Sequence, residues 1–240
     1  MLETPVYPAV LVLVVCLWWD NDMSSENPTG ADNQQGSRDD ELLGSSLTPQ
    51  RLHAELLGTD AKSLEAYLQG ALRDGTRSAL HRTFRIGSIE PGWLMILKQV
   101  LETLSQRSWL YREGSARNYW ILETTARFLD MGYDARGLVG TEAGLAYVRG
   151  YFDADGGMPA RSNARLYFQF AQKSYVSLQT VVANLAAWRI ATGRIHCPSR
   201  RVDPEYWRTY VLARSHRRFM TSVNSWHPRK RQQIEIRMKI

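Results

Sequence analysis

Two stretches of this sequence follow the same plan. Ser63 to Leu72 and Glu142 to Phe152 each space apolar residues as one face of a helix, and each runs on into Asp-Gly. A strand-like segment follows each, His81 to Gly87 and Arg165 to Ala171, and then a second helix-like segment, Trp93 to Leu104 and Leu178 to Ile190. Next comes a hairpin-like region rich in aromatics. It holds Trp109, Tyr111, Tyr119 and Trp120 in the first copy, and Tyr206, Trp207 and Tyr210 in the second. Each copy closes on a short helix, expected near Thr125 to Met131 and near Ser215 to Val223. The order helix, strand, helix, hairpin, helix thus occurs twice, in about 80 residues each, which predicts two related halves. Gly132 to Gly140 contains three glycines and suits the connector between them. The expected organisation is a tail over 1–47, a first repeat over 48–131 and a second over 141–240.

Charge is distributed unevenly along this plan. The chain has 30 basic and 24 acidic residues, and its first sixty residues hold two and ten of them. The remainder therefore carries 28 bases against 14 acids, a net of +14. A basic globular part of that size suggests a polyanionic partner, because each cation set beside a phosphate releases a counterion. Cys16 and Cys197 give neither zinc spacing nor a disulfide framework, which fits a reducing compartment.

Val6 to Trp19 is an apolar run of fourteen residues, short of the roughly 20 that a bilayer span needs. Glu3 is the only charge before it, whereas a signal peptide begins with basic residues. The polar stretch from Met23 onward reads as disordered. The preferred reading is a segment upstream of the true start, or an incidental tail; a membrane anchor is the minor alternative.

The second half carries the sequence Val148-Arg149-Gly150-Tyr151-Phe152-Asp153-Ala154-Asp155-Gly156 at the end of its first helix. It resembles the LAGLIDADG nonapeptide: five of nine places are identical, and Val148, Tyr151 and Phe152 keep the apolar character of three more. Leu166 to Lys173 is similar to that family's DNA-facing strand, and Leu178 to Ile190 to the helix behind the sheet. Trp226-His227-Pro228-Arg229-Lys230 resembles a basic His-Pro-x-Lys element late in the family's repeats. The likeness is close over about 142–235 and weak over about 63–131.

The residue types suit the motif. Without a side chain at Gly150, two motif helices can approach closely. Asp153 and Asp155 fall at a helix C-terminus, where carboxylates are disfavoured by up to about 1 kcal/mol, and Gly156 is expected to stop the helix in a left-handed conformation. Acids gathered there call for a hard divalent cation with oxygen ligands. The plainer reading is an Asp-rich capping turn facing water.

The resemblance implies a mixed α/β (α+β) fold of two pseudo-symmetric αββαββα repeats with curved antiparallel DNA-binding sheets. It implies a monomeric homing endonuclease hydrolysing double-stranded DNA with Mg2+. In that frame Asp155 binds metal together with Asp74 and Gly156. Gln172 lies near the attacking water, and Lys230 is the basic group near the transition state.

The first half departs from the pattern at Leu68-Gln69-Gly70-Ala71-Leu72-Arg73-Asp74-Gly75. Aligned on Gly70, Asp-Gly arrives one residue early and Arg73 stands where the first acid belongs. Aligned on Asp74-Gly75, the glycine slips and the helix face turns by about 100°. Ser88 also stands in place of the strand glutamine. Either Asp74 still reaches the shared site or the first motif has lost its ligand. A non-cleaving nucleic-acid binder, such as an intron RNA maturase, is therefore the alternative.

For the DNA face, Arg161, Asn163, Arg165, Tyr167 and Gln169 alternate as one side of a strand, with Arg82 and Arg85 in the first half. Arg200, Arg201, Arg208, Arg217, Arg218, Arg229 and Arg231 are candidates for phosphate contacts. The five histidines show no zinc spacing, and no Walker loop, dinucleotide fingerprint or nucleophile elbow is present. The expected setting is intracellular, in cytoplasm, nucleoid or organelle matrix, with no membrane partner.

Overall fold

Two helices, α2 (Ala61–Ala71) and α4 (Glu142–Asp155), open the two halves and pack on each other more extensively than any other pair of elements. Each begins at a side-chain cap: Asp60 accepts from the Ser63 N–H at 3.0 Å, and Thr141 from the Gly144 N–H at 3.0 Å. The close approach is reciprocal. A Cβ on Gly70 would lie 2.1 Å from the Tyr147 carbonyl oxygen, and one on Gly150 would lie 2.0 Å from that of Tyr67. Both residues stand three places before the opposing glycine, so the pair of helices is related by a local two-fold axis.

The computed structural model describes residues 49–239 except 115, 116 and 162. The N-terminal apolar run, the polar stretch after it and Cys16 lie outside the described residues. Among the described residues no helix is long and apolar enough to cross a membrane.

After α2 a 3₁₀ turn over Leu72–Asp74 leads into β1 (Gly75–Ser78), β2 (Thr83–Ser88), α3 (Pro91–Thr103), β3 (Ser108–Arg112) and β4 (Trp120–Thr124). These strands form an antiparallel sheet in the order β1-β2-β4-β3. Phe84, Ile86 and Leu122 are buried against Leu94, Leu97 and Val100 of α3. By strand alternation and register, Arg85, Glu123, Trp109 and Tyr111 share the opposite face.

The second half repeats this plan with shorter strands: β5 (Gln169–Gln172), α5 (Tyr175–Ala187), β6 (Trp207–Tyr210), α6 (His216–Ser222) and α7 (Pro228–Met238). β5 and β6 pair antiparallel, and the outer ribbons are reduced to isolated bridges, Gly157 with Gln169 on one side and Thr192 with Val211 and His196 with Arg208 on the other. Gly156, Gly157 and Pro159 on one side and Gly193 and Pro198 on the other disfavour longer strands there. The core is aromatic: Phe152, Phe168, Phe170 and Phe219 are fully buried, with ring centroids 4.5–6.0 Å apart. Each such ring contributes about 1.5–3 kcal/mol by burial.

Three sequence expectations are corrected. The strand foreseen over 165–171 begins only at Gln169, so Arg161, Asn163 and Arg165 lie in an irregular exposed segment. Its carbonyls at Arg161 and Ala164 accept from the Arg237 guanidinium at 2.8 and 3.0 Å. No helix forms over Thr125–Met131. There the buried Gln69 side chain donates to the Phe128 carbonyl at 2.7 Å and accepts from the Asp130 N–H, taking up backbone groups that a helix would have paired. Two helices were not foreseen, α1 (Pro49–Leu57) and α7. Leu52 and Leu56 of α1 enter the first-half core.

Candidate active site

The ends of α2 and α4 bring Asp74 and Asp155 together. Asp155 is partly buried and Asp74 is open to solvent on one side. Surrounding protein pushes the Asp74 carboxyl above the usual carboxylate range, the charge on Asp155 adds to this, and Lys230 opposes it. Burial likewise raises Asp155, opposed by Lys230 and by the hydrogen bond from Gln172. Water still reaches Asp74, so screening limits the size of its rise.

The two motifs differ in length between glycine and acid, four residues from Gly70 to Asp74 and five from Gly150 to Asp155. The 3₁₀ turn absorbs the difference. The Gly75 N–H bonds to the Leu72 carbonyl, three residues back, whereas the Gly156 N–H bonds to that of Phe152, four back. One α step and three 3₁₀ steps rise about 7.5 Å, as do five α steps, and the rotations differ by only about 40°. The short motif therefore delivers its acid to the level of its counterpart.

Asp153 plays a different part from Asp155. Its side chain is 1% exposed and accepts from the Tyr67 hydroxyl at 2.9 Å, the Trp226 N–H at 2.9 Å and the His227 N–H at 3.2 Å, and from the Ser225 hydroxyl. Burial pushes this carboxyl up, and Lys230 and these donors pull it down. It fastens the 225–227 loop to α4. Arg73, at the equivalent place in the 3₁₀ turn after α2, donates to the Tyr147 hydroxyl at 3.1 Å and to the Tyr133 carbonyl at 2.6 Å. Arg73 reads in the sequence only as a departure from the motif; Trp226 and His227 read as part of a basic element, and neither they nor Tyr133 are marked there as partners of Asp153 and Arg73.

Gln172, the first residue predicted beside the acids, donates to Asp155 at 2.9 Å. Ser88 occupies the corresponding strand position in the first half, and its hydroxyl accepts from the Glu90 N–H at 3.0 Å. Lys230 reaches the same place from α7. Its ammonium donates to the carbonyls of Phe152 (2.5 Å), Asp153 (3.0 Å) and Gly156 (2.7 Å), closing the end of α4, where the Phe152 carbonyl also accepts from the Gly156 N–H. Burial lowers its pKa to about 8, against the pull of Asp153, Asp155, Glu90 and Asp74. Gly156 is not left-handed (φ −72°), contrary to expectation. Glycine is needed because a Cβ would fall 2.1 Å from the Phe152 ring, and Lys230 satisfies the helix end that a left-handed cap would have closed.

Two adjacent carboxylates with raised pKa values suit a divalent cation. Among the described residues no group of three or more His, Cys, Asp or Glu is placed to hold one. Magnesium needs only one or two carboxylates, completing its shell with water and phosphate oxygens. The donor set at Asp74 and Asp155 fits that ion, while the Gly156 carbonyl is engaged by Lys230.

No protein-family model matches the chain, and no curated protein matches it. Solved structures do. The homing endonuclease I-DmoI in complex with DNA and calcium matches with a TM-score of 0.56 at 13% identity, covering 74% of this chain and 99% of that one. The N-terminal LAGLIDADG domain of DUF199/WhiA matches with a TM-score of 0.53 at 16% identity, covering 75% and 95%. I-DmoI with DNA and manganese matches at 0.52 and 14%, covering 69% and 98%. This chain has the LAGLIDADG fold.

In the LAGLIDADG fold of this chain the outward sheet faces are unequal. On the first, Arg85 is paired with Glu113 at 3.2 Å and donates to Tyr111, whose hydroxyl donates to Glu123 at 2.8 Å. Thr83 also donates to Glu123. Arg82 is exposed in the β1–β2 turn with φ 53°. On the second face Arg208 lies 5.5 Å from the Tyr206 ring centre and donates to Tyr210 at 3.2 Å. Tyr167 is partly buried beside this pair, whereas Gln169 is buried. Of the other arginines proposed for phosphate, Arg229 pairs with Glu90 at 3.2 Å, and Arg231 with Glu55 and Glu235 at 3.6 and 2.9 Å. Arg217 and Arg218 line a separate cavity with Arg189 and Arg214. Arg200 and Arg201 are exposed in a turn.

Proposed function

We propose that this chain is a site-specific homing endonuclease that binds duplex DNA along its outward sheet faces and hydrolyses phosphodiester bonds at the Asp74–Asp155 pair. The arrival of Asp74 beside Asp155, in spite of the missing residue, carries this reading. A bound cation, magnesium in this proposal, supplies charge neutralisation at the phosphodiester oxygens. The chain's own groups hold that place: the two carboxylates bind, Gln172 orients Asp155, and Lys230 fixes the end of α4. The outward arginines and tyrosines position the duplex. Because the single chain supplies both acids, the active form is a monomer. Its substrate locates it inside the cell, in cytoplasm, nucleoid or organelle matrix.

The two halves are not equivalent in this reading. Asp155 has Gln172, whereas Ser88 in the first half is turned to its own backbone. One strand is therefore cut ahead of the other. The test is magnesium-dependent cleavage of a randomised duplex library by the wild type, Asp74→Asn and Asp155→Asn. Double-strand cuts lost in both variants support a shared site; nicks lost only in Asp155→Asn mean a half-active enzyme. Salt-sensitive binding without cutting means a nucleic-acid binder such as an intron RNA maturase. The engagement of the Gly156 carbonyl by Lys230 favours that second reading.

A further inference from the structure

Behind the second sheet, the end of α5 and the start of α6 enclose an open cavity of 610 Å³ lined by Arg189, Arg214, Arg217 and Arg218, with no acid in its wall. All four arginines are exposed. Among the described residues none of them is in an ion pair, whereas Arg85, Arg136, Arg149, Arg229 and Arg231 all are. Arg189 adopts a left-handed conformation (φ 56°) just past the end of α5, a place that glycine usually takes. A charged side chain is kept there at a cost of about 1–2 kcal/mol. Arg218 also donates to the Arg189 carbonyl at 3.3 Å, which ties α6 to the end of α5. Four like charges lining one cavity repel one another, and a polyanion relieves that repulsion.

The cavity is not part of the sheet face. α5 spans 13 residues, about 20 Å, from Tyr175 near Gln172 to Ala187, so Arg189 lies that far from the acids. Phe219 of α6 packs on Phe168 and Phe170 in the core, on the side of β5 opposite to Arg208 and Tyr210. A duplex along the outward face meets Arg208 and Tyr210, not this cavity.

We infer that Arg189, Arg214, Arg217 and Arg218 form a second nucleic-acid site, which holds the phosphodiester backbone of a single strand while duplex occupies the sheets. Arginine forks match phosphate oxygens, and the cavity, at 610 Å³, is open to solvent. The second half of this statement rests on the functional reading above, and the experiment separates the two.

The probes are a fluorescent 20-nucleotide RNA and the DNA strand of the same sequence. Binding is measured by anisotropy on the full chain, alone and saturated with unlabelled library duplex, for the wild type and for Arg214→Gln/Arg217→Gln/Arg218→Gln. The wild type binds a single strand in both conditions, and the triple variant does so with a log K against log salt slope reduced by about 2. Its duplex affinity and melting temperature are unchanged. Preference for the RNA or for the DNA strand names the source of the phosphate backbone. Equal weakening of duplex and single-strand binding would place the cavity in the duplex footprint and overturn the inference, as would full displacement of the strand by duplex. Failure of the wild type to bind either strand would overturn it as well. A wild type that binds the strand but no duplex sinks the endonuclease reading alone.

Discussion

Tyr67 and Tyr147 occupy the same place in the two motif helices, three residues before each glycine, and their hydroxyls serve opposite charges. Tyr67 donates to the Asp153 carboxylate at 2.9 Å, and Tyr147 accepts from the Arg73 guanidinium at 3.1 Å. The 225–227 loop that gives Asp153 its other donors has no counterpart beside Arg73. The group presented there is the Tyr133 carbonyl, which needs a donor and receives one at 2.6 Å. Arg73 is thus a post of reversed polarity in the same framework, rather than a metal ligand lost from the site.

Restoring the motif's acid with Arg73→Asp therefore weakens the protein. A carboxylate at that place gains one donor, the Tyr147 hydroxyl, and leaves the Tyr133 carbonyl unpaired. Urea unfolding should show a loss of about 1–3 kcal/mol. A stability gain would mean that the polarity of the place is unimportant.

Asp153 and Asp155 separate under the same substitution. Asp153→Asn keeps an acceptor for Tyr67, Trp226 and His227 but sets an amide NH2 where the Ser225 hydroxyl donates and removes the charge that these donors and Lys230 face, and costs about 1–3 kcal/mol of folding stability. Asp155→Asn leaves stability equal or higher and removes cleavage. Equal denaturation midpoints for the two variants would contradict the division of labour between binding the loop and binding the ion.

The raised acids give a pH signature. Between about pH 4 and their raised values, Asp74 and Asp155 hold protons in the folded chain that the unfolded chain has released. Stability therefore falls as pH rises through that window. In the absence of divalent ions, Asp74→Asn melts above the wild type at pH 8, and the difference closes near pH 4. Magnesium added to the wild type narrows the gap at pH 8. Melting curves at the two pH values decide it, and a variant that melts lower at pH 8 rules out repulsion within the pair.

Gly150→Ala sets a methyl group 2.0 Å from the Tyr67 carbonyl oxygen, and both partners are helix backbone, which cannot swing aside. The helices must part, at about 3 kcal/mol or more. For a chain of this size that lowers the melting temperature by about 6–12 °C. An unchanged melting temperature would show that the helices are not in contact there.

Arg165→Ala should lower the slope of log K against log salt for duplex binding by about 1, since the exposed side chain has no acid partner among the described residues. Arg85→Ala should change it little, because Glu113 already neutralises that guanidinium. Filter binding across a salt series distinguishes the two, and identical slopes would remove Arg165 from the interface.

What could be read in the sequence was what is encoded locally. Helical spacing located α3, α4 and α5 to within a few residues, and the Asp-Gly endings located both acids. The helix expected at 125–131 failed because Gln69, nearly sixty residues away, takes the backbone groups of Phe128 and Asp130. The rescue of Asp74 by a tighter turn was invisible for a related reason: residue spacing fixes the number of steps, not the rise of each. Arg85 is legible in the sequence as a strand arginine, but its pairing with Glu113, 28 residues further on, is not.

Trp226 lies beyond the second motif, yet it is fully buried in the first half's core, where its ring packs 4.4 Å from Tyr67. Its indole N–H donates to Glu55 of α1 at 2.8 Å, and Glu55 also faces Arg149 and Arg231. Ala66 of α2 in turn belongs to the second half's core, so each half borrows material from the other. Split at the 132–140 connector, the two fragments would be obligate partners: neither could complete its interior alone, and mixing them should regenerate a heterodimer with the shape of the parent.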